Sequence, residues 1–311
     1  MSTQNTLRTL RVTDPVLTKL AQGYFNANFV SEVLFPIAEI PNEGGAVPVF
    51  GRQAFRLTST IREIHGVSNR LTPEYAKSII VTLDEHDIEY PMDYREEYEA
   101  SYNLKQYALN VTQDVIGLGR EIEVATLAQN ADNYDSDHVL SLKTAKKQLN
   151  DTSTDILKII DDAKAKIAGD IGKLPNVCVI AGDVWAHLKE NAGLLDRIKY
   201  TRTGLLTPQV FAELIEVDQV VIGEATQEVS EQLQKIWTDC IILAYVPRAE
   251  EENRHIYAPS FAYTLRRKDG LFVDTYQENG GKVQVIRCTD IYKPYILGKS
   301  AGYLIKDCLS K

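Results

Sequence analysis

No part of this sequence stays apolar for long. The longest fully apolar run, Cys240 to Val246, is too short to cross a bilayer, and the first thirty residues hold no apolar core of a secretory signal. The expectation is a chain that neither spans a membrane nor contacts one. Cysteine is scarce too: Cys178, Cys240, Cys288 and Cys308 never approach CxxC spacing, and three of them sit in apolar, strand-like contexts, "NVCVI", "DCIIL" and "VIRCT". That pattern predicts reduced core thiols in a cytosolic setting. The five histidines, His65, His86, His138, His187 and His255, show neither HxxxH nor HxH spacing, so no metal site is expected. Positive charge is short as well. With 34 basic against 43 acidic residues the formal charge is -9, which argues against a protein that grips nucleic acid by bulk charge.

Catalytic signatures are incomplete wherever they begin. "GKSAG", Gly298 to Gly302, has the outline of a nucleophile elbow, but no histidine follows Ser300, as a hydrolase of that type requires. The same "GKS" lacks the phosphate loop's earlier glycine, because position 293 is Lys293. "GLG" at Gly117 to Gly119 lies inside a helical pattern and lacks the third glycine of a dinucleotide fingerprint, so helix packing or a bend explains it better. Asp132, Asp135 and Asp137 lack the central glycine and closing glutamate of a calcium loop and read as solvated. Nothing in the sequence orients His187 toward Cys178. No catalytic residue, cofactor or enzyme activity is expected.

What the sequence does have is length in one element. Residues 102 to 130 read as one amphipathic helix, with Leu104, Ala108, Val111, Val115, Leu118, Ile122 and Ala125 forming a stripe. At 1.5 Å per residue it would reach about 43 Å, wider than a small domain. Before it, residues 1 to 43 look like an arm. Thr13 or Asp14 can cap a short helix starting at Pro15, and "FVSEVLFPIAEIP" suits an extended edge strand. Residues 44 to 83 open with two glycines and close with "KSIIVTL", as the legs of a long hairpin would. Arg52, Arg56, Arg62 and Arg70 lie between those legs. The adjoining stretch carries Asp84, Glu85, Asp87, Glu89, Asp93, Glu96, Glu97 and Glu99 against a single arginine, Arg95. Loop and belt are either two solvated faces or the two halves of a contact between copies. Thr152 to Ile167 predicts a second helix ending at Gly169. From Pro175 the pattern is α/β, with strands "NVCVIAG", "VDQVVIGEA" and "DCIILAYV" and helices "DVWAHLKEN" and "TPQVFAELI". "ENGG" at Glu278 to Gly281 predicts a hairpin turn between "LFVDTYQ" and "KVQVIRC".

These pieces fall in a familiar order. "DPVLTKLAQGYFNANFVSEVLFPIAEIPNEGGAVPVF" resembles the amino-terminal arm of tailed-bacteriophage major capsid proteins, and "TPQVFAELIEVDQVVIGEA" resembles their axial domain. "IWTDCIILAYVPRA", "PSFAYTLRRKDG" and "VIRCTDIYKPYILGKSAGYLIKD" are similar to the stretch that leaves that domain and completes the peripheral one. The resemblance implies an α+β chain with the Hong Kong 97 type capsid fold. On that map the arm is 1–43 and the extended loop 44–83. The peripheral domain is 84–174 with its spine helix at 102–130, the axial domain 175–258, and the peripheral return strands 259–311.

It also implies a function: self-assembly through hexamers and pentamers into an icosahedral head enclosing double-stranded DNA, which the wall touches without sequence preference. Expected partners are a separate scaffolding protein, a portal and a decoration protein. The expected location is the virion capsid, assembled in the bacterial host cytoplasm. Contacts between copies are expected from Arg52, Arg56, Arg62 and Arg70 on Asp84, Glu85, Asp87, Glu89, Glu96 and Glu97, with Phe25, Phe29, Val33, Leu34 and Phe35 of the arm supplying apolar area. The loop's only lysine, Lys77, lies on its returning leg, so a lysine-to-asparagine cross-link between copies is not expected. The competing readings are an encapsulin-like nanocompartment, an oligomeric α/β enzyme built on residues 175 to 246, and a tail component.

Overall fold

The computed structural model describes residues 17, 29–48, 61–62, 64, 67–69, 78–151, 154–198, 205–247 and 260–310. Its longest element is the helix Leu104–Gln129, two residues shorter at its start than expected and one at its end. The start is fixed by Asn103, whose side-chain oxygen accepts from the Gln106 backbone N–H at 3.1 Å. The stripe read from the sequence is buried in part: Leu104, Ala108 and Ala125 are buried, and Leu118 and Ile122 pack against the core. Val115 is 46% exposed, while Thr112, Gln113 and Glu121 are buried. Apolar spacing misses part of the buried face because the helix centre buries polar side chains, which no hydrophobic periodicity registers.

One five-stranded sheet is organised by the strand Val283–Ile296. Asp84–Asp93 pairs antiparallel with it, from Val283↔Asp93 to Tyr292↔Asp84. Phe272–Glu278 and Ala262–Arg267 also pair antiparallel with it, and Ile37–Ile40 adds a parallel strand to Ala262–Arg267 at the sheet's edge. A second five-stranded sheet runs in the order Val139–Ser141, Gly302–Lys306, Cys240–Ala244, Val177–Ala181, Gln219–Gly223. Every residue of Val177–Ala181 and Cys240–Ala244 is buried, as expected of strands covered on both faces. Helices Ile156–Ile171, Gly182–Leu188 and Pro208–Ile215 pack on this sheet.

The long helix belongs to both halves. Leu104, Ala108, Leu109 and Ile116 enter an apolar cluster with Met92, Val273 and Ile286 of the first sheet. Val124, Ala125 and Ala128 enter the main core with Val179, Ile242 and Leu304 of the second.

The hairpin legs of residues 44 to 83 are present as Gly44–Pro48 paired with Ser78–Thr82. Several expectations shift. The second helix runs Ile156–Ile171, capped by Asp155 and stopped by Gly172 at φ 65°, so the expected stop at Gly169 falls inside it. Ser31–Leu34 forms one helical turn ahead of the expected edge strand, which begins only at Ile37. The "ENGG" turn carries three left-handed residues, Asn279, Gly280 and Gly281. Several small elements are not predicted, among them the helix Tyr94–Glu99, closed by an Asp93/Glu96 capping box, the helix Ala192–Ile198, the strand Val139–Ser141 with the turn Leu142–Ala145 after it, and the hairpin Thr226–Val229 with Gln232–Lys235. Of the helix expected from Pro15, only Leu17 is among the described residues, and it is helical.

All four cysteines are buried free thiols, and burial pushes each above its ordinary pKa, Cys288 to about 12. Among the described residues, no helix is long and apolar enough to cross a membrane.

Candidate intersubunit surfaces

The described residues of the loop between the hairpin legs, 61–62, 64 and 67–69, are exposed. Arg62 is among them, and Ile61, Ile64 and Val67 beside it are 84%, 88% and 83% exposed. Arg52, Arg56, Arg70 and Phe25 lie outside the described residues. The sequence reading named the arginines and passed over the aliphatic residues between them, which are the less ordinary surface feature.

The acidic belt divides between a strand and a short helix. Asp84, Glu85, Asp87 and Glu89 are exposed on the strand Asp84–Asp93, and Glu96 and Glu97 on the helix that follows. Most of them already have a partner in their own chain. Asp84 receives the Lys293 ammonium at 2.7 Å, and Asp87 accepts from the Thr289 hydroxyl. Glu89 is 3.7 Å from Arg287, which is held more closely by Asp274; Glu97 is 3.1 Å from Lys105. Glu96 accepts from the Asp93 backbone N–H at 3.3 Å. Exposed pairs of this kind are worth about 0–1 kcal/mol, so an incoming arginine can displace one at small cost. Beside Glu96 and Glu97 lies a feature with no counterpart in the sequence reading. Tyr94, Tyr98, Tyr102 and Tyr107 are each 45% or more exposed at the entry to the long helix.

The arm meets the long helix at its centre. The Phe29 ring lies where a side chain at Gly117 would sit: a Cβ there would be 2.8 Å from the ring. This close packing is one of the two explanations expected of the central glycines, and it holds for Gly117; nothing lies within 4 Å of a Cβ at Gly119. One turn on, the buried Glu121 carboxylate accepts from the backbone N–H groups of Val30 at 3.1 Å and Ser31 at 2.8 Å, and from Trp237 Nε1 at 2.6 Å. It thereby fixes the turn Ser31–Leu34 against the helix and ties both to the second half of the molecule. Arg120 adds an ion pair to Glu32 at 2.7 Å. Leu34 and Phe35 go further in and are fully buried in their own chain's core, where Phe35 packs edge-to-face on Phe261 at 5.9 Å. Phe35 was expected to serve a contact between copies. Its side chain is enclosed by its own fold instead, because the helical turn rotates it inward.

Asp137, His138 and Asp170 come together although the sequence spacing gave no sign of it. His138 Nδ1 lies 2.8 Å from the Gly302 carbonyl oxygen and Nε2 2.8 Å from Asp170, so both ring nitrogens are taken. The Lys166 ammonium bonds to Asp137 and holds its carboxyl below the ordinary range. This cluster braces the helix Ile156–Ile171 against the strand Gly302–Lys306, and a resident ammonium leaves it poorly suited to a cation. Ser300 of "GKSAG" is buried in a single 3-10 turn, Lys299–Ala301.

The chain matches no family model. A major capsid protein of Burkholderia phage BcepMu is 42% identical over 301 residues, which is 96% of this chain and 97% of that one. The crystal structure of a phage-related protein from Bordetella bronchiseptica RB50 superposes with a TM-score of 0.82 at 28% identity, covering 96% of this chain and 98% of that one. The capsid structure of cyanophage P-SCSP1u superposes at 0.56 with 12% identity, over 93% and 90% of the two chains, a likeness of fold alone.

Proposed function

This chain belongs to the major capsid protein family of tailed phages, and from that premise we propose that it builds a closed icosahedral head by gripping copies of itself through the arginine-bearing loop and the acidic belt. The observation carrying the contact is the loop itself. Ile61, Ile64 and Val67 are more than four-fifths exposed next to Arg62, an expense of apolar surface that a solitary molecule has no reason to bear. A neighbouring copy would cover the aliphatic side chains at about 25 cal/mol per Å² while the arginines select register on Asp84, Glu85, Asp87, Glu89, Glu96 and Glu97. Each contact is weak, and closure by symmetry sums them, which lets misplaced copies leave before the shell seals.

On this reading the wall is structural and has no enzymatic activity. It encloses double-stranded DNA, which a net charge of -9 leaves loosely held. A separate scaffolding protein, a portal and a decoration protein complete the assembly, which takes place in the host cytoplasm before the head is filled. Arg56→Glu combined with Arg62→Glu is expected to abolish particles while leaving the circular dichroism spectrum and melting temperature of the subunit unchanged. Normal particles from the double variant in negative-stain micrographs would remove the loop from the contact.

A further inference from the structure

Among the described residues, six buried side-chain polar atoms have no protein partner: His86 Nε2, Gln113 Oε1, Arg120 Nε, Arg266 Nε, Asp290 Oδ1 and Tyr292 OH. Buried polar atoms are ordinarily paired, and the few exceptions need a reason. These six are not scattered. Gln113 and Arg120 stand on the long helix, and His86, Arg266, Asp290 and Tyr292 on three strands of the first sheet. Gln113, Arg120, Arg266 and Asp290 line one cleft of about 150 Å³, with Glu32 of the arm also in its wall. Tyr292 adjoins it, its ring 5.6 Å from the Arg120 guanidinium on one side and stacked on His86 at 4.2 Å. Tyr292 is fully buried, Asp290 is 1% exposed and Gln113 9%.

We propose that the seam between the centre of the long helix and the first sheet binds a cluster of internal water molecules, which completes the hydrogen bonding of these six groups. The donor and acceptor pattern selects this occupant. Two guanidinium N–H groups ask for acceptors, while Gln113 Oε1 and Asp290 Oδ1 ask for donors, so the ligand must offer both. The charges in the lining, Arg120 and Arg266 against Glu32 and Asp290, cancel and favour neither an anion nor a cation. Water meets both conditions, and the cleft has room for several molecules. The helix is therefore fastened by hydrocarbon toward its two ends, while near its centre, where Gly117 and Gly119 also lie, the ion pairs of Arg120 to Glu32 and Asp290 are joined by water on the side facing the sheet. Water bridges re-form in a new geometry at low cost, so this centre is where the helix can bend against the sheet.

Tyr292→Phe decides the matter in the full-length chain, since it removes one hydroxyl from an otherwise unchanged ring. If water satisfies that hydroxyl, the melting temperature falls by about 2–4 °C. If the seam is dry, deleting an unpaired buried group leaves the melting temperature unchanged or raises it, and the proposal is overturned. A reconstruction of the assembled particle fine enough to show solvent gives the second reading. Discrete peaks within hydrogen-bond distance of both the guanidinium Nε atoms and the Gln113 and Asp290 oxygens are expected. A dry cleft, or a single anion touching the arginines alone, overturns it.

Discussion

The two central glycines of the long helix have different causes, and single substitutions separate them. A Cβ at Gly119 meets nothing, so Gly119→Ala gains the helix propensity that glycine forfeits and is expected to stabilise the subunit by about 0.5–1 kcal/mol. Gly117→Ala drives a methyl into the Phe29 ring, and overpacking of this kind costs about 1–3 kcal/mol, enough to reverse the gain. In a Phe29→Ala background the two substitutions should behave alike, which denaturant titration can measure. Glu123, on the same helix, shows a titration effect of known sign. Burial raises its pKa above that of the unfolded chain, so the folded state binds the proton more tightly and ionisation opposes folding. The penalty is absent below the ordinary glutamate value of about 4.3 and grows as pH rises through the raised one. Glu123→Gln is accordingly expected to raise the melting temperature near neutrality and to leave it unchanged in acid.

At the scale of elements, the turn Ser31–Leu34 depends on a residue about ninety positions away. Its leading N–H groups, Val30 and Ser31, are satisfied by Glu121, which also holds the Trp237 indole. Glu121→Ala leaves three donors without a partner inside the protein and is expected to cost about 3–5 kcal/mol, with a red shift of Trp237 emission as the local signature. This dependence is why the turn was illegible. "FVSEVLF" has an apolar density that suits either state, and the partner that decides between them is far away in sequence. The same reasoning sorts the other elements. The long helix, the fully buried strands Val177–Ala181 and Cys240–Ala244 and the Phe272–Glu278 hairpin were readable because spacing and turn chemistry determine them locally. The helix stop moved from Gly169 to Gly172 because either glycine can end a helix, and packing selected the later one. The helix Tyr94–Glu99 left a signal, Asp93 followed three residues later by Glu96, that was overlooked within a run of charge.

For the whole molecule, legibility divides between surface and interior. An arginine-rich loop followed in the chain by an acidic belt is visible as composition, whereas the commitment of Asp84, Asp87, Glu89 and Glu97 to bases or hydroxyls of their own chain depends on tertiary packing and cannot be read beforehand. Phe35 likewise looked like an overhang and turned out to be core. The unusual helix length has a simpler account than any of these. A single helix contributes side chains to the apolar clusters of both sheets, Leu104, Ala108 and Leu109 to one and Val124, Ala125 and Ala128 to the other. The helix is thus interior to both halves, and melting of either strips packing from the element that the other shares. A load applied to one half of the subunit accordingly reaches the other along this single helix, with any give concentrated at its glycine-bearing middle.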